Sequence, residues 1–375
     1  MLYDYLFAFS APPVPRLLER VARARDAGHR VAVLYLDRQH EVVHVSDVEG
    51  VDVYKIPVPF QGASADRLKA LPKIAWSLRT KLLRQATQDA FFYTDSLDLL
   101  AALRLLPGTS RLSIRYEVRD LHKLQMAPGR VGRIIRMIDR RLMPRVDRLI
   151  VTSMGYYDHY YVGFYTGAVT LLENFPNQAV WGGFQSKSRK PGDPIKVGFI
   201  GAIRYMACVR ALIEGARLAR ANGVDVQLKI VGPLLESPLE VAFEDTWITR
   251  GGPFDYNAEI KELYSDLDII WSVYDTRIQN VRYALSNKFY ETLLSGIPLA
   301  VAADTHIGER TEDMGIGYAV SDRDPQAIAD MLGSVDATDG WHQRARQQLS
   351  ENTEIVAEML KNHALAEQEA LFARS

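Results

Sequence analysis

Cysteine is nearly absent from this sequence, and long uncharged apolar runs are absent too. Cys208 is the one cysteine in 375 residues, which excludes a disulfide framework and a thiolate metal cluster and favours a reducing compartment. No uncharged apolar run approaches the roughly 18–20 residues of a membrane-spanning helix. The opening residues, MLYDYLFAFS, lack a basic region and contain Asp4, so we expect a first strand and not a signal peptide. The sequence predicts a cytoplasmic protein that does not cross a membrane.

Net charge is also nearly absent, at −1, but the charges are unevenly distributed. Residues 1–185 hold 25 Lys and Arg against 18 Asp and Glu, a balance of +7. Residues 186–375 hold 20 against 28, a balance of −8. A basic half in a chain of ordinary globular composition favours a phosphorylated ligand, nucleic acid or an anionic membrane surface as a partner.

Strands and helices alternate along the front half. Tyr3 to Phe9 predicts a strand, PPVPRLLERVARARDAGHR predicts a helix that stops at Gly28, and VAVLYLD predicts the next strand. A strand, a helix and a strand in this order form a parallel crossover unit. The same order recurs as far as the strand VTLLE, which predicts a doubly wound first domain over residues 1–177.

A second series of the same units follows a stretch rich in Gly, Pro, Ser and Lys, which predicts a linker at residues 178–194. The series predicts a second domain over residues 195–345, and residues 346–375 predict a helix that returns toward the first domain. The fold class is α/β, with two Rossmann-like doubly wound parallel-sheet domains. We expect them to face a cleft at the carboxyl ends of their strands, where open α/β sheets bind ligands.

Residues 274–300 have the features of an anion site. A predicted strand, DIIWSV, leads into a polar loop, and a short helix is predicted over Asn287 to Ser295. Ser286 or Asn287 can cap this helix, and Gly296 is a suitable left-handed terminator. The polar loop contains Tyr274, Asp275, Arg277, Asn280 and Arg282.

The start of this helix offers unpaired N–H groups and the positive end of the helix dipole, and Lys288 adds a full charge. Such a place suits phosphate. Glu291 lies one turn further along the same face, where a carboxylate can accept hydrogen bonds from a ribose diol. Together the two residues indicate a nucleoside diphosphate site. A surface ion pair between Lys288 and Glu291 is the alternative.

Several motifs together resemble the retaining nucleotide-sugar glycosyltransferases of GT-B architecture, family-4 type, especially the bacterial polysaccharide-assembly members. The motifs are PRLLERVARARDAGHRVAVL, YEVRDLH, VDRLIVTS, LLENFPN, VGFIGAIR, LKIVGP, GGPFDY, LYSDLDIIWSVYD and NVRYALSNKFYETLLSGIPLAVA. The resemblance implies transfer of a hexose-type sugar from a nucleotide-diphosphate donor held mainly by the second domain. The acceptor, a glycan or a polyprenyl-diphosphate-linked sugar, would be held by the first domain.

Carried over by position, Glu291 resembles the ribose-binding second Glu of the family's Glu-x7-Glu motif, and Arg204 resembles the Arg that neutralises the diphosphate. The loop around Phe254 resembles the base-recognition loop. The implied donor-binding residues are Gly201, Ala202, Arg204, Gly232, Phe254, Tyr274, Asp275, Asn280, Asn287, Lys288 and Glu291. Nothing in the sequence demands a metal, because no carboxylate pair is placed at the expected strand end, and we expect no cofactor beyond the sugar nucleotide itself.

The chain departs from the family pattern at three places. Tyr283 stands where the first motif Glu is expected, so Asn280 or Arg282 would have to contact the donor sugar. Ser286 replaces the usual proline before the Asn-Lys-x-x-Glu variant. The usual Lys partner of Arg204 is missing, which leaves Arg210 or Lys288 to supply the charge.

On the acceptor side, relatives often place a His-Asp pair after a strand that here ends near Val118. Arg119 occupies the usual His position, so His122 is a displaced candidate beside Asp120. A histidine can orient an acceptor or relay its proton near neutral pH. The predicted catalytic residues are therefore His122, Asp120, Arg204 and Lys288, although loop histidines are often solvated and without a role.

Two basic stretches, residues 67–84 and 130–148, combine Lys or Arg with apolar residues at helical spacing. Such faces suit an anionic bilayer surface, and the alternative is a core-facing helix with a solvated basic side. We therefore expect peripheral contact with the inner face of the cell membrane.

Other protein classes fit less well. A nucleotide dehydrogenase would carry G-x-G-x-x-G after a first strand, and VGFIGAI offers only Gly198 and Gly201. A nucleic-acid protein would carry a recognition motif in the basic half, and none is evident. Sugar epimerases share the architecture. A relative that binds a nucleotide sugar without turnover is the more serious rival because of Tyr283.

Overall fold

The computed structural model describes residues 2–37, 49–58, 64–187, 189–190, 192–235, 245–351 and 353–374. Contacts within the chain divide it into two compact units. Unit 1 comprises Met1–Glu173 together with Ala364–Ser375, and unit 2 comprises Asn174–His363.

Within the described residues, unit 1 forms a seven-stranded sheet in the order β3-β2-β1-β4-β5-β6-β7, with every neighbouring pair parallel. Its strands are β1 (Tyr3–Phe9), β2 (Val31–Asp37), β3 (Asp52–Pro57), β4 (Ala86–Thr94), β5 (Ser113–Val118), β6 (Arg148–Val151) and β7 (Ala168–Leu171). The chain starts in the middle of the sheet and winds outward in both directions, so helices cover both faces.

The helices of unit 1 connect these parallel strands. They are α1 (Pro15–Asp26), α2 (Ser64–Ser77), α3 (Leu97–Arg104), α4 (Lys123–Met126), α5 (Gly129–Leu142) and α6 (Met154–Tyr156). Turns of 3₁₀ or π helix lie at Leu78–Leu82, Leu83–Gln85, Thr109–Arg111, Met143–Arg145 and Tyr157–Tyr161. Leu17, Val21 and Ala24 of α1 recur at helical spacing and are buried against the aromatic residues of β1.

Unit 2 repeats this architecture with a six-stranded parallel sheet in the order β10-β9-β8-β11-β12-β13, counted over its described residues. Its strands are β8 (Ile195–Ile200), β9 (Val226–Val231), β10 (Ile248–Gly251), β11 (Ile269–Ser272), β12 (Leu299–Ala302) and β13 (Gly317–Val320). Their carboxyl ends all meet at one edge, as parallel pairing requires.

The helices of unit 2 pack on both faces of this sheet. They are α7 (Gln178–Trp181), α8 (Met206–Ala221), α9 (Tyr256–Tyr264), α10 (Gln279–Tyr283), α11 (Asn287–Ser295), α12 (His306–Asp313), α13 (Pro325–Gly333) and α14 (Trp341–Glu351). A last helix, α15 (Thr353–Phe372), begins in unit 2 and ends in unit 1.

The end of α15 completes the core of unit 1. Leu371 is fully buried, and its carbonyl accepts a hydrogen bond from Tyr5 Oη at 3.0 Å. Arg115 on β5 donates to the carbonyl oxygens of Ala370 at 2.9 Å and Ala373 at 2.8 Å. The predicted linker, 178–194, contains α7, whose Trp181 is buried in a cluster of unit 2.

The fold class predicted from the sequence is confirmed, and the predicted bounds of α11 match the structure. The polar loop after β11 was predicted without helix, which is wrong, because Gln279–Tyr283 forms the single turn α10. Strands β3 and β13 were not predicted. Both lie at sheet edges and are mostly exposed or half-buried, so neither has the long apolar run of a strand buried on both faces. Among the described residues, none of the helices combines the length and apolarity needed to cross a membrane.

Candidate functional site

Helix α11 begins and ends as its sequence predicts. The hydroxyl oxygen of Ser286 accepts a hydrogen bond from the Lys288 N–H at 3.3 Å, which satisfies one donor of the first turn. Gly296 ends the helix with a φ of +70°, in the left-handed region that glycine adopts without strain. The exposed first residue, Asn287, therefore stands at the positive end of a nine-residue helix.

Lys288 lies at the carboxyl end of β8. Its side chain is 7% exposed, and its ammonium donates to the carbonyl oxygen of Ile200, the last residue of that strand. A Cβ added to Gly201 would stand 3.1 Å from Lys288 Nζ. The Lys288 ammonium group therefore lies beside the glycine backbone at the carboxyl end of β8.

Gly201 and Gly232 bring two adjacent strand ends into close contact. Gly232 has a φ of +146°, and a Cβ there would lie 1.9 Å from the carbonyl oxygen of Gly201, which itself has a φ of +135°. The Gly232 N–H donates to the carbonyl oxygen of Gly251 at the end of β10, at 3.2 Å. Only glycine allows this approach, so the backbone after β8, β9 and β10 forms one continuous surface.

Glu291 is held by two tyrosines. Its Oε1 accepts from the hydroxyl of Tyr256 at 3.0 Å, its Oε2 accepts from the hydroxyl of Tyr264, and the residue is 3% exposed. Burial and the neighbouring Glu291 carboxylate raise the pKa of Tyr264 well above its usual value, so this phenol remains a donor. The alternative of a surface ion pair with Lys288 is wrong, because both residues are buried and each is bonded to a different partner.

The side chain of Arg204 is exposed and makes no ion pair within the described part of the chain. The next residue, Tyr205, has a φ of +62°, a rare conformation outside glycine, and its ring contacts that of Tyr274 with centroids 5.9 Å apart. Ala202 and Phe254 are half-buried. These residues therefore surround the ends of β8, β10 and β11.

Asp275 is held by an arginine of its own loop. Arg277 donates to Asp275 through Nε at 2.9 Å and through its terminal nitrogen at 2.5 Å. This hydrogen bonding keeps the pKa of Asp275 below its usual value. Asn280 lies in α10, one turn before Tyr283. The loop therefore presents a neutralised carboxylate and an amide where the family pattern predicts sugar contacts.

In unit 1, His122 caps α4. Its ring Nδ1 accepts from the backbone N–H of Leu124 at 3.2 Å, and its backbone N–H donates to Gln125 Oε1 at 2.7 Å. A neutral imidazole that accepts at Nδ1 carries its proton on Nε2. The exposed ring is thus arranged to donate a hydrogen bond, which fits orienting an acceptor better than removing its proton. Asp120 is exposed and accepts from Tyr156 Oη at 3.3 Å.

A buried network, which the local sequence does not predict, supports the His122 segment. Gln125 Nε2 donates to Asp139 Oδ2 at 2.7 Å, and Tyr160 Oη donates to the same oxygen at 2.9 Å. Burial raises the pKa of Asp139 to about 6. Since Asp139 belongs to α5, this helix fixes the loop that carries His122.

Two further charged clusters lie near the same strand ends. Arg119 pairs with the buried Asp95 at 2.6 Å, and burial raises the pKa of Asp95 although Arg119 opposes the shift. Glu117 is buried, paired with Arg20, and accepts from Tyr93 Oη at 2.5 Å. Glu117 is therefore a structural residue, while Asp95 and Arg119 border the candidate acceptor site.

Within the described ranges, no group of three or more His, Cys, Asp or Glu side chains is arranged to hold a metal ion. The charged groups near the carboxyl ends of β8 and β11 are mostly cationic or already paired. This arrangement can hold a diphosphate through Lys288, Arg204 and backbone N–H groups.

Comparison with solved structures agrees with the fold. The fold is the GT-B architecture: HepE from Anabaena, whose crystal structure was solved with UDP and glucose, superposes with a TM-score of 0.67 at 14% identity, covering 99% of this chain and 100% of HepE. Sucrose-phosphate synthase from Thermosynechococcus elongatus superposes with a TM-score of 0.66 at 13% identity, covering 96% and 98%.

The sequence comparisons match part of the chain to a family and most of it to one relative. Residues 13–162 match the family described as "Glycosyl transferase 4-like domain". The succinoglycan biosynthesis protein ExoL of Rhizobium meliloti (strain 1021) is 25% identical over 307 residues, which cover 76% of this chain and 73% of ExoL. These findings support a GT-B glycosyltransferase of the family-4 type.

The two tyrosines that hold Glu291 were missed in the sequence analysis, although a signal exists. Tyr256, Ile260 and Tyr264 recur every four residues and so share one face of α9. A helix that follows the predicted base-recognition loop and carries hydroxyls on its buried face would have indicated a carboxylate partner.

Gly232→Ala tests the contact between the two strand ends. The new Cβ would collide with the Gly201 carbonyl, so we expect the free energy of unfolding of unit 2 to fall by about 1–3 kcal/mol. Urea denaturation followed by tryptophan fluorescence measures it, because Trp181, Trp247, Trp271 and Trp341 all lie in unit 2. Gly252→Ala is the matched control, since nothing lies within 4 Å of its Cβ position. Equal stability of the two variants would contradict the close approach.

Asp139→Asn tests the buried carboxyl. Because folding raises its pKa from 3.8 to about 6, the native state holds the proton more tightly, and this stabilisation is full below about pH 4 and is lost as the pH rises to about 6. The Asn variant loses nothing over that range, so its stability relative to wild type should rise by roughly 1–3 kcal/mol between those pH values. Hydrogen exchange of β5 and β6 amides at pH 4.5 and pH 7, compared at each pH, measures it. Asp158→Asn, at an exposed carboxylate, should show no such difference.

Proposed function

We propose that this protein transfers a hexose-type sugar, with retention of anomeric configuration, from a nucleoside diphosphate to a glycan or polyprenyl-diphosphate-linked acceptor in cell-surface polysaccharide assembly. One observation carries the proposal: a cation and a carboxylate, Lys288 and Glu291, lie one helical turn apart at the carboxyl edge of the sheet of unit 2. A diphosphate and a ribose need these two groups at about this separation.

The donor half of the reaction needs stabilisation of a leaving group. When the bond between the anomeric carbon and the diphosphate oxygen breaks, the electron pair stays on the oxygen, and negative charge develops there. Lys288, exposed Arg204 and the backbone after Gly201 are preorganised cationic and N–H groups. The close contact of Gly201 and Gly232 removes side chains that would keep a phosphate away from this backbone.

The names of similar proteins support a nucleotide-sugar donor and a role in polysaccharide biosynthesis. ExoL is named as a succinoglycan biosynthesis protein, and HepE was crystallised with UDP and glucose and also with UDP-glucose. A uracil nucleotide is therefore the first donor to test here.

For the acceptor we assign unit 1. His122 donates through Nε2 to an acceptor hydroxyl, and Asp120 beside it takes part in the same contact. The departing phosphate oxygen takes the acceptor proton as the new bond forms on the same face of the sugar. This route uses no protein nucleophile and no metal ion.

Tyr283 supports a second candidate function, the binding of a sugar nucleotide without turnover. This residue occupies the position at which the family pattern has its first motif Glu, and it lies half-buried in α10. A protein that binds a sugar nucleotide without turnover fits this substitution. Nucleotide binding combined with the absence of transfer to glycan and lipid-linked acceptors would support it.

The central experiment is a thermal-shift screen of UDP-, GDP-, ADP- and dTDP-sugars. We expect one nucleotide to raise the melting temperature of the wild type, and Glu291→Gln and Lys288→Met each to weaken its binding by about 10- to 100-fold, since each loses a hydrogen bond to a charged group. Lys261→Met, at a half-buried lysine of α9 whose ammonium donates to the Gly182 carbonyl oxygen, is the control and should bind as the wild type does. Binding by both site variants as tight as that by the wild type would refute the assigned site.

Product analysis then tests the chemistry. With the stabilising donor, we expect the NMR coupling constant of the product anomeric proton to match the donor configuration, and the transfer rate to be unchanged by EDTA. An inverted product would exclude the retaining mechanism, and loss of rate with EDTA would exclude metal independence.

We further propose that unit 1 contacts an anionic membrane surface, on its cytoplasmic side, through α5. Ile134 and Met137 are 52% and 49% exposed on this helix. Their face also carries Arg130 and Arg141, which are exposed, while Gly132 and Asp139 are buried on the opposite side. Apolar side chains among arginines suit the headgroup region of an anionic bilayer.

Vesicle flotation compares the two basic stretches. Reversal of Arg130, Arg133 and Arg141 to Glu should abolish binding to vesicles of 30% anionic lipid, because each basic residue near such a surface contributes about 1 kcal/mol. The matched variant reverses Arg79, Lys81 and Arg84 after α2 and should float as the wild type does. Equal flotation of wild type and the α5 variant would exclude this surface.

A further inference from the structure

The environment of Glu291 raises a question of access. A carboxylate that binds a ribose diol must offer acceptor sites to solvent, yet Glu291 is 3% exposed and both of its oxygens already accept from tyrosine hydroxyls. Something must move before a nucleotide reaches it.

The two tyrosines differ in their freedom to move. Tyr264 is fully buried, and its ring packs edge-on against Trp181 with centroids 5.4 Å apart. Tyr256 is only partly buried and is the first residue of α9. It follows Gly252, around whose Cβ position the structure leaves open space. Tyr264 is therefore the fixed partner and Tyr256 the exchangeable one.

The lone pairs of the Glu291 carboxylate allow the hydroxyl of Tyr256 to be exchanged for another hydroxyl. An ionised carboxylate has about four lone-pair sites, two on each oxygen. The hydroxyls of Tyr256 and Tyr264 occupy one site on each, and the burial of Glu291 keeps a ligand from the remaining sites while Tyr256 stays in place. A vicinal diol donates two hydrogen bonds, and a phenol hydroxyl is a donor of the same kind as a ribose hydroxyl. Tyr256 can thus be replaced on Oε1 without any change in the chemistry of the bond.

We propose that Tyr256 is the gate of the ribose site: its hydroxyl occupies, on Glu291 Oε1, the place that a ribose hydroxyl of the bound nucleotide takes. Tyr264 keeps Oε2 fixed during the exchange. This inference rests on the proposed donor function and adds a residue that determines how the ribose is recognised.

The exchange has a physical reason. A buried carboxylate oxygen without a donor is costly, so the empty site needs a substitute for the ribose hydroxyl. With Tyr256 in place, a ribonucleotide must break one hydrogen bond to make another, whereas a nucleotide that lacks the ribose hydroxyls leaves Tyr256 bonded to Glu291 and makes no bond there. The gate therefore lowers the affinity for ribonucleotides only.

The test uses the intact protein, titration calorimetry and whichever of UDP, GDP and ADP binds the wild type. In Tyr256→Phe the competing hydroxyl is gone, so we expect binding of the ribonucleotide about three- to tenfold tighter than in wild type. The 2′,3′-dideoxy form of the same nucleotide should gain nothing from the substitution. Tyr318→Phe, a partly exposed tyrosine on β13 that contacts Trp341, is the matched control and should leave both affinities unchanged.

Three results would contradict the proposed role of Tyr256. Unchanged or weaker ribonucleotide binding by a Tyr256→Phe protein that melts as the wild type does would overturn the gate and make Tyr256 a supporting residue, while the proposed function stands. An equal gain with the dideoxy nucleotide would also overturn it. Absence of binding of all three nucleotides to the wild type would overturn the donor assignment and the gate together.

Discussion

A carboxylate that has been removed from water needs hydrogen-bond donors, and in both units of this protein tyrosine hydroxyls supply them. Glu117 accepts from Tyr93, Asp139 from Tyr160, and Glu291 from Tyr256 and Tyr264. A phenol fits this task because burial raises its pKa, as at Tyr93 and Tyr264, and so keeps its proton in place. The buried carboxylates, in turn, fix the elements around them, so the positions of α5 and α11 depend on these bonds.

The two candidate half-sites use this constraint differently. In unit 1 the Asp139 carboxylate lies below the surface and acts through Gln125, which holds the backbone of His122. In unit 2 the Glu291 carboxylate is buried and accepts directly from two tyrosines, and the neighbouring Lys288 is held by a neutral carbonyl and not by an opposite charge. Because a carbonyl oxygen carries no net charge, the positive charge of Lys288 is not neutralised. The charge of Arg277, in contrast, is largely neutralised by Asp275.

How far the sequence predicts the structure depends on the range of the interactions involved. The bounds of α11 follow from Ser286 and Gly296, which act within one turn of the helix, and the alternation of strands and helices gives the fold class. Strand β3 is half-exposed at a sheet edge and leaves little local pattern. The bonds from Tyr256 and Tyr264 to Glu291 join residues 35 and 27 positions apart, and they exist because α9 and α11 pack together. Such pairings follow from tertiary packing, which the local sequence does not specify.

The segment 364–374 has a consequence for synthesis of the chain. Arg115 and Tyr5, in the middle of the first sheet, bond to the backbone of Ala370 and Leu371, and Arg148 pairs with Glu369. Domains emerging from the ribosome generally fold in order from the amino terminus. Here the residues that complete the first domain are translated after the whole of the second, so the second domain is the first that can reach its final fold.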